Sequence, residues 1–489
     1  MSGRGRMQLT KQIENMQNMY DLLALCCSYI FNEIENEPYD FAAFNDTLYI
    51  HVYDNIVKYN WDKENLGELG AFREFRDFVI RFMGENSTVE KCYAIVKYID
   101  EKIEYEFRYD IVYRKDLMEY DSINEQCKDK VRVLLKNTKS FVDVGNEAYK
   151  HQTKDKFKLL RDSHDCPCSK LDAVTKRYMI WDEEVFRKYP FKIYRVKESH
   201  YINKHFENRN KVIFAVIPFT NESIKTILSE KRVNGAFYIE QMEPDTECRL
   251  KRKYELAYEG TLNKDVDFLV FPEMLMTDEI RADCSFNENG PVILINGSCS
   301  KNKVNRSVVC ARDGEELFSY CKKNPYIYED AGKEYTEWLD AKENKEYSLL
   351  DIPNLGRVSV AICKDLWSEE IKMFHKMMKT NILIVPAFTP SGDLESSARC
   401  LSEEYNCIVV LANSCSALPV PQRDKKIGFV TLPAKRGSDR TTDVKYYKAG
   451  ACQKECANIC KGQLITIEFT DFQGKNSLCC YKTQIKKIN

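Results

Sequence analysis

Proline is unevenly distributed along the 489-residue chain. No proline occurs between Pro38 and Pro167, whereas eleven of the fourteen prolines lie in residues 211–489. Because proline breaks helix interiors, the long proline-free stretch predicts a helical unit, and the proline-rich half is typical of short strands and turns. We therefore expect an all-α N-terminal domain in residues 1–150, a junction in residues 151–210 and a second domain in residues 211–489.

Apolar residues at steps of three and four predict a helix over about residues 11–35. They are Ile13, Met16, Tyr20, Leu23, Cys27, Ile30 and Ile34. A second amphipathic helix is expected over residues 72–82, with Gly84 as a left-handed stop, and a third over residues 92–103. So few heptads favour a helical bundle over a dimeric coiled coil.

Short apolar runs replace this helical period in the second domain. They are residues 212–219, 267–271, 292–296, 307–311, 317–320, 358–363, 382–385, 408–412 and 464–469. Polar segments long enough for helices lie between several of them. This pattern predicts an α/β domain in which helices cover buried sheets. The polar run 324–348 is expected to be a loop with a short helix.

Charge and cysteine content restrict the partners and the compartment. The 73 Lys and Arg residues nearly balance the 75 Asp and Glu residues, which argues against nucleic acid or an anionic membrane as the main partner. No apolar run approaches the roughly 20 residues of a membrane helix, and residues 1–6 lack a secretory signal. We expect a cytoplasmic, intracellular protein whose twenty cysteines are reduced.

Two groups of residues have spacings that suggest a metal site. The first contains Cys452, Cys456, Cys460, Cys479 and Cys480, and the second runs from His164 through Cys166 to Cys168. Zinc knuckles use shorter gaps in paired turns, and a buried helical stripe explains the i, i+4, i+8 spacing equally well. We therefore expect no metal and no organic cofactor.

Candidate catalytic residues stand at the ends of two buried strands. His375 is the one histidine in residues 211–489, so nucleophilic chemistry in this domain calls for a carboxylate or lysine base. Glu273 follows a buried strand and one proline. Cys363 ends another strand and precedes an expected helix start, where free N–H groups and the helix dipole favour a thiolate.

Three motifs occur in an order that resembles the nitrilase, or carbon–nitrogen hydrolase, superfamily. They are Phe271-Pro-Glu273, Tyr320-Cys-Lys322 and Ile362-Cys-Lys-Asp365, separated by 49 residues from Glu273 to Lys322 and by 41 from Lys322 to Cys363. Asn305, Asp313-Gly314 and the run Val409 to Asn413 add further matches. The resemblance covers about residues 211–470.

The resemblance implies a four-layer α-β-β-α sandwich and a catalytic triad. Cys363 would attack the carbon of an amide or nitrile, Glu273 would take the thiol proton and return it to the leaving amine, and Lys322 would stabilise the oxyanion. Water would then release the acid from a thioester. The resemblance also implies a homo-oligomer and a small-molecule substrate.

Several positions near the triad allow more than one interpretation. Lys323 competes with Lys322, which we prefer because Pro325 stands three residues after it. The family often has a further glutamate after the lysine. Glu329 is the nearest candidate, with Glu337 behind it, and both could instead be solvated loop acids.

Two residues after the cysteine depart from the family pattern. Lys364 stands where the family often has an aromatic residue, and Trp367 where it often has arginine. We assign both to the edge of the substrate pocket, although Trp367 could serve packing alone. Substrate analogies with any one branch of the family are therefore unsafe.

The predicted function is hydrolysis of a linear amide carbon–nitrogen bond through a cysteine thioester. In this interpretation the helical N-terminal domain serves recognition or assembly and can bind a protein partner. Two alternatives remain open. One is a nitrilase-like effector or scaffold in a larger assembly, and the other is an acyltransferase that uses the same thioester.

Overall fold

A computed structural model describes most of the chain as two compact units. The described residues are 3–36, 46–58, 69–84, 89–102, 113–114, 117–126, 128, 130–136, 175, 177–220, 228–282, 287–301, 303–340, 346–390, 393–405, 407–418, 426–433, 443–448, 462–470 and 480–488. The first unit comprises Met1–Arg114, Met118–Thr138 and Tyr149–Pro190. The second comprises Lys115–Leu117, Lys139–Ala148 and Phe191–Asn489.

Helices and strands are numbered in chain order. The helices are α1 (Gly3–Glu14), α2 (Met19–Asn36), α3 (Asp46–Lys58), α4 (Leu69–Met83), α5 (Val89–Lys102), α6 (Glu183–Phe186), α7 (Tyr201–His205), α8 (Pro244–Glu259), α9 (Asp278–Ala282), α10 (Glu369–Met377) and α11 (Leu394–Tyr405). The strands are β1 (Tyr113–Arg114), β2 (Leu117–Tyr120), β3 (Val131–Leu135), β4 (Tyr178–Asp182), β5 (Phe191–Val196), β6 (Lys211–Val216), β7 (Leu228–Val233), β8 (Ala236–Met242), β9 (Phe268–Val270), β10 (Ile293–Ile295), β11 (Cys299–Lys301), β12 (Val304–Ala311), β13 (Glu316–Cys321), β14 (Ile327–Asp330), β15 (Lys333–Glu337), β16 (Tyr347–Ile352), β17 (Gly356–Val360), β18 (Ile382–Ala387), β19 (Ile408–Asn413), β20 (Gly428–Leu432), β21 (Asp443–Tyr447), β22 (Gln463–Thr470) and β23 (Cys480–Lys487).

The first unit begins with two helices where the apolar spacing predicts one. α1 ends at Glu14, and α2 begins at Met19. Asn18 causes the break, because its side-chain Oδ1 accepts the backbone N–H groups of Tyr20 and Asp21, each at 2.9 Å, as an N-cap does. The expected helix over residues 11–35 is therefore corrected to two segments. The predicted helix that stops at Gly84 is confirmed as α4, and Gly84 has φ +52°.

A two-stranded antiparallel sheet completes the first unit. β3 pairs with β4, with Val133 opposite Ile180. Asp100 of α5 is fully buried and accepts the backbone N–H of Arg177, 2.7 Å away. The described part of the expected junction 151–210 therefore divides between the two units, because β4 belongs to the first and the buried strand β5 to the second.

Two large sheets form the centre of the second unit. One contains β5, β16, β17, β18, β19, β20 and β21 in that order. The other contains β11, β12, β10, β9, β6, β22 and β23, with β13 paired to β12. β17, β18 and β19 run parallel to one another, as do β6, β9 and β10. Each parallel set therefore ends together at one edge, where loops can gather functional side chains.

Helices cover the outer faces of both sheets, and the inner faces pack on each other. Phe374 of α10 stacks on Tyr347 of β16 at 4.1 Å between ring centres, and α11 packs on β19 and β20. On the other sheet, Tyr254 of α8 stacks on Phe271 at 4.6 Å. Between the sheets, the Ser348 hydroxyl donates to the Ser319 carbonyl at 2.9 Å. The predicted α-β-β-α sandwich is confirmed.

A smaller sheet of two hairpins occupies part of the run that was expected to be a loop. β14, β15, β8 and β7 lie side by side, and the parallel pair β15–β8 joins the hairpins. The expectation of a loop with a short helix in residues 324–348 is wrong. Ala331 and Gly332 both have positive φ, +51° and +73°, which suits the two-residue turn of a tight hairpin.

None of the described helices is long and apolar enough to span a membrane.

His375 of α10 is buried as a neutral side chain. Its Nδ1 lies 3.1 Å from the Thr380 hydroxyl, and Nε2 has no hydrogen-bond partner among the described residues. Burial lowers the pKa of His375 from 6.5 to about 3. His375 therefore binds a proton below pH 6.5 in the unfolded chain, but only near pH 3 in the folded chain. The unfolding free energy decreases as pH falls from 6.5 toward 3.

Replacing His375 with leucine is expected to remove this pH dependence. Between pH 7.5 and pH 5.0 the wild-type protein should lose roughly 2 kcal/mol more of its unfolding free energy than His375→Leu does. Urea unfolding at the two pH values measures the difference. Equal losses in the two proteins would show that His375 titrates normally in the folded state.

Candidate active site

Cys363 lies at a sharp turn beyond the end of β17. Its φ of +47° is in the left-handed region, which a non-glycine residue rarely adopts. A short 3-10 helix spans Cys363–Trp367, and α10 begins only at Glu369, capped by the Ser368 hydroxyl. The helix start expected directly after the cysteine is thus a single tight turn. Strain of this kind, typically 1–3 kcal/mol, persists where surrounding structure holds it.

Glu273 follows β9 and Pro272 and is buried among donors. Its Oε1 accepts the Asn305 side-chain amide at 2.9 Å and the Lys322 ammonium at 2.8 Å. Its Oε2 accepts the backbone N–H of Phe388, at the end of β18, at 3.0 Å. The carboxylate is therefore held by groups from both large sheets.

Lys322 follows β13 and is fully buried between two carboxylates. Its Nζ lies 2.8 Å from Glu273 Oε1 and 2.6 Å from Glu337 Oε2. Asn305 also bridges the pair, because its side-chain amide donates to Glu337 Oε1 at 3.1 Å. Two acids and one ammonium thus share a site from which water is almost excluded.

The Cys363 thiol completes the group. Burial raises the pKa of the thiol, so a base is needed to form the thiolate at neutral pH. Besides burial, the Glu273 carboxylate raises the pKa of the thiol and the Lys322 ammonium lowers it, so both charges act on the sulfur. Burial also raises the pKa of Glu273, which makes its carboxylate a stronger proton acceptor.

The charge on Lys322 is secured by its neighbours. Burial alone would lower the pKa of this ammonium, but the carboxylates of Glu273 and Glu337 outweigh burial and raise it well above 10.5. Lys322 therefore keeps a fixed positive charge beside the thiol. A fixed cation in a dry site can stabilise negative charge that develops on a bound carbonyl oxygen.

Asp365 connects the turn of the nucleophile to the strand that carries the lysine. Its carboxylate accepts the backbone N–H of Ile362 at 3.2 Å, on one side. On the other side it accepts the backbone N–H groups of Lys323 at 3.0 Å and Asn324 at 2.8 Å, and the Tyr320 hydroxyl at 3.0 Å. One buried carboxylate thus fixes the residue before the nucleophile and the two residues after the buried lysine.

The glutamate near the lysine is Glu337 and not Glu329. Glu329 is exposed on β14, opposite Glu334, and takes no part in the hydrogen bonds of the buried group. The assignment of Glu329 is therefore corrected to Glu337, the second choice. The sequence feature that could have identified Glu337 is the pair Ala331 and Gly332. A two-residue hairpin turn at this pair places residue 337 opposite Tyr326.

The other residues singled out in the sequence lie outside this group of hydrogen bonds. The competing lysine, Lys323, donates to the Glu346 carbonyl at 3.1 Å and lies over the Tyr347 ring, and burial lowers its pKa to about 8. Lys364 is half-buried in the turn after the nucleophile, and Trp367 is 43% exposed. The structure thus brings Lys322, and not Lys323, to Glu273.

No group of three or more His, Cys, Asp or Glu side chains in the described part is arranged to hold a metal ion. The candidates Cys452, Cys456, Cys460 and Cys479, and the run from His164 to Cys168, lie outside the described residues.

Comparison with known proteins gives structural matches only. The chain matches no protein-family model and no curated protein sequence. Solved structures similar to it include Nit3 of Saccharomyces cerevisiae, described as a member of branch 10 of the nitrilase superfamily, at 15% identity over 49% of this chain and 89% of Nit3, with a TM-score of 0.31.

Two further structures have similar statistics. A cysteine mutant of the amidase from Nesterenkonia AN1, also of the nitrilase superfamily, is 14% identical over 46% of this chain and 84% of the amidase, with a TM-score of 0.31. The NitFhit protein of Caenorhabditis elegans is 16% identical over 49% of this chain and 61% of its own, with a TM-score of 0.31. The matches do not include the N-terminal helical region.

Proposed function

We propose that the second unit is a nitrilase-superfamily hydrolase that cleaves the linear carbon–nitrogen bond of an amide through a thioester on Cys363. The observation that carries the proposal is the buried Lys322 ammonium, which is held between Glu273 and Glu337 and acts electrostatically on the Cys363 thiol. Burying each of these ions costs several kcal/mol of desolvation, so a group of this kind is costly to retain for stability alone.

The geometry supports a role for each member in the proposed reaction. Glu273 takes the proton from the Cys363 thiol as sulfur attacks the amide carbon and the carbonyl π electrons move onto oxygen. Lys322 faces the same space and stabilises that oxyanion. As the tetrahedral intermediate collapses, the carbon–nitrogen bond breaks, and Glu273 returns the proton to the leaving nitrogen.

Release of the acid reverses these roles with water as the nucleophile. Glu273 takes a proton from water, the hydroxide attacks the thioester carbonyl, and the carbon–sulfur bond breaks as the thiol regains its proton. Glu337 keeps the ammonium charged and oriented throughout. If an amine entered in place of water, the same thioester would give acyl transfer, and this remains the second candidate.

The test is detection of the thioester and its position. The full chain is mixed with a panel of linear amides from acetamide to arylalkanamides, and intact-protein mass spectrometry followed by peptide mapping locates any acyl group. We expect an acyl adduct on Cys363 and none on Cys248, although Cys248 is exposed and Cys363 is 3% exposed. Hydroxylamine should convert the adduct to a hydroxamate.

Two alanine variants serve as a matched pair. Cys363→Ala should lose the adduct, and Cys248→Ala should keep it. Acylation of Cys248 without acylation of Cys363 would contradict the proposal. In that case the reactivity of each thiol would depend only on its exposure to solvent. Failure of every amide in the panel to acylate Cys363 would favour the scaffold alternative.

A further inference from the structure

One face of the four-stranded sheet carries three tyrosine rings in a row. The rings of Tyr326 and Tyr328 lie 6.2 Å apart between centres, and those of Tyr328 and Tyr335 lie 5.6 Å apart, with planes within 26° of parallel in each pair. Phe237 of β8 meets Tyr328 edge-on at 5.0 Å. We refer to Tyr326, Tyr328 and Tyr335 as the aromatic row.

The aromatic row begins at the catalytic group. Side chains alternate along a strand, so Tyr335 shares a face with Glu337. Glu337 and Tyr326 are joined twice, because the Tyr326 N–H donates to Glu337 Oε2 at 2.9 Å and the Glu337 N–H donates to the Tyr326 carbonyl at 2.7 Å. The row therefore extends outward from a carboxylate that holds Lys322.

Tyr326 itself lies within electrostatic range of the nucleophile. Burial, followed by the influence of Cys363, raises the pKa of the Tyr326 phenol. The ring is half-buried, and its hydroxyl makes no hydrogen bond to the described residues. A substrate bound at Cys363 therefore meets Tyr326 before the rest of the row.

The outer end of the row carries a guanidinium group. Arg232 lies 4.4 Å from the centre of the Tyr335 ring and is held by Glu230 at 2.6 Å and Asp330 at 2.7 Å. The Tyr328 hydroxyl also bonds to Glu230. The two carboxylates offset the charge of Arg232, so stacking on the rings is the main contact that the row offers a neutral aromatic group.

We infer that the aromatic row binds a flat aromatic or heteroaromatic group carried by the substrate at some distance from its scissile bond, an inference that rests on the proposed hydrolase function. Stacking and edge-to-face contacts with aromatic rings favour such a group over a saturated ring of equal size. The inference thus assigns a substrate class, aromatic amides, to the proposed reaction.

Binding to the full-length Cys363→Ala protein tests the inference without turnover. Titration calorimetry measures the affinity for two series of amides. The first carries the variable group on the acyl side and consists of butanamide, 4-phenylbutanamide, 4-cyclohexylbutanamide and 4-(trimethylammonio)butanamide. The second carries the ring on the amine side and consists of N-(3-phenylpropyl)acetamide and N-(3-cyclohexylpropyl)acetamide. In at least one series the phenyl amide should bind about 3- to 10-fold more tightly than its cyclohexyl partner. Butanamide, which has no ring, should bind more weakly still, and the ammonium compound tests whether the row binds a cation in place of an aromatic group.

A matched pair of substitutions on one hairpin locates the effect. In the Cys363→Ala background, Tyr335→Leu should abolish the preference for phenyl, whereas Ile327→Ala should retain it, because Ile327 is 41% exposed on the opposite face of the same hairpin. The midpoint temperature of thermal unfolding is measured for each variant, and a value close to that of the Cys363→Ala parent shows that the variant is folded.

Several results would overturn the inference. They are equal binding of phenyl and cyclohexyl amides, tightest binding of the ammonium compound, no binding of either phenyl amide, and a phenyl preference that survives Tyr335→Leu. Failure of the proposed function is distinguishable from these results. A phenyl preference in binding, combined with no acylation of Cys363 in the wild-type protein, would support the binding role of the aromatic row and contradict the proposed hydrolase function.

Discussion

Replacing Lys322 with methionine is expected to lower amide turnover by about 10²- to 10³-fold, the typical cost of losing a donor to a developing oxyanion. The same change should lower the unfolding free energy by about 3–5 kcal/mol, because Glu273 and Glu337 would remain as buried carboxylates without their cation. Ammonia release and urea unfolding measure the two effects.

The pH dependence of this loss has a definite sign. Without the ammonium, the two acids repel each other, and the folded state should take up a proton with a pKa above the ordinary range of a carboxyl group. A raised carboxyl pKa contributes stability at low pH that is lost as pH rises. The deficit of Lys322→Met against wild type should therefore be larger at pH 8 than at pH 6.

Two further variants test whether charge repulsion causes the loss of stability and whether the oxyanion role of Lys322 causes the loss of turnover. Adding Glu337→Gln to Lys322→Met removes one of the repelling charges, and we expect it to restore part of the stability and none of the turnover. Lys323→Met is the matched control, because that neighbouring lysine lies outside the group and bonds to the Glu346 carbonyl. Turnover of Lys322→Met within tenfold of wild type would remove the oxyanion role.

Replacing Glu273 with glutamine is expected to lower turnover by about 10²- to 10⁴-fold, the usual contribution of a positioned general base. Glutamine keeps the shape and an acceptor oxygen for Lys322, and the lysine retains Glu337, but the side-chain NH2 group meets the Phe388 N–H donor. Loss of that hydrogen bond should lower the unfolding free energy by about 1–3 kcal/mol, so the change should affect catalysis more than stability. Steady-state kinetics and urea unfolding on the same preparation measure both.

The pH profile identifies the proton acceptor. Wild-type kcat/KM should rise with pH as Glu273 loses its proton, and the midpoint should lie above the ordinary glutamate range because burial raises the pKa of this group. Glu273→Gln should lack this acid limb. Glu329→Gln, on the exposed strand β14, should keep wild-type turnover and the wild-type profile, and loss of the acid limb there would contradict the placement of Glu329.

The three residues at strand ends could be predicted because buried strands leave a strong local signal and the motifs occur in a recognisable order. Glu273 and Cys363 each follow a buried apolar strand, and the resemblance of three motifs in order to a known family selected Lys322 together with them. The strand pattern predicted an α/β domain with helices covering its sheets, and the family resemblance supplied the four-layer sandwich.

Features that depend on chain reversal were harder to predict. Glu337 reaches Lys322 only because a two-residue turn at Ala331 and Gly332 closes a hairpin, and the polar composition of that hairpin suggested a loop. The break between α1 and α2 depends on a single capping side chain, Asn18, inside an otherwise continuous apolar stripe. Capping and turn geometry compete with periodicity, and periodicity alone cannot show which prevails.

Asp365 links the positions of the two large sheets to the positions of the nucleophile and the lysine. Its carboxylate is bonded at once to the turn of the nucleophile, which follows a strand of one large sheet, and to the segment after Lys322, which follows a strand of the other. The separation of the two sheets and the separation of nucleophile and cation are therefore tied together. A substitution far from the site that shifted one sheet against the other would be transmitted to the reacting atoms, so the packing of the sandwich core affects the chemistry as well as the stability.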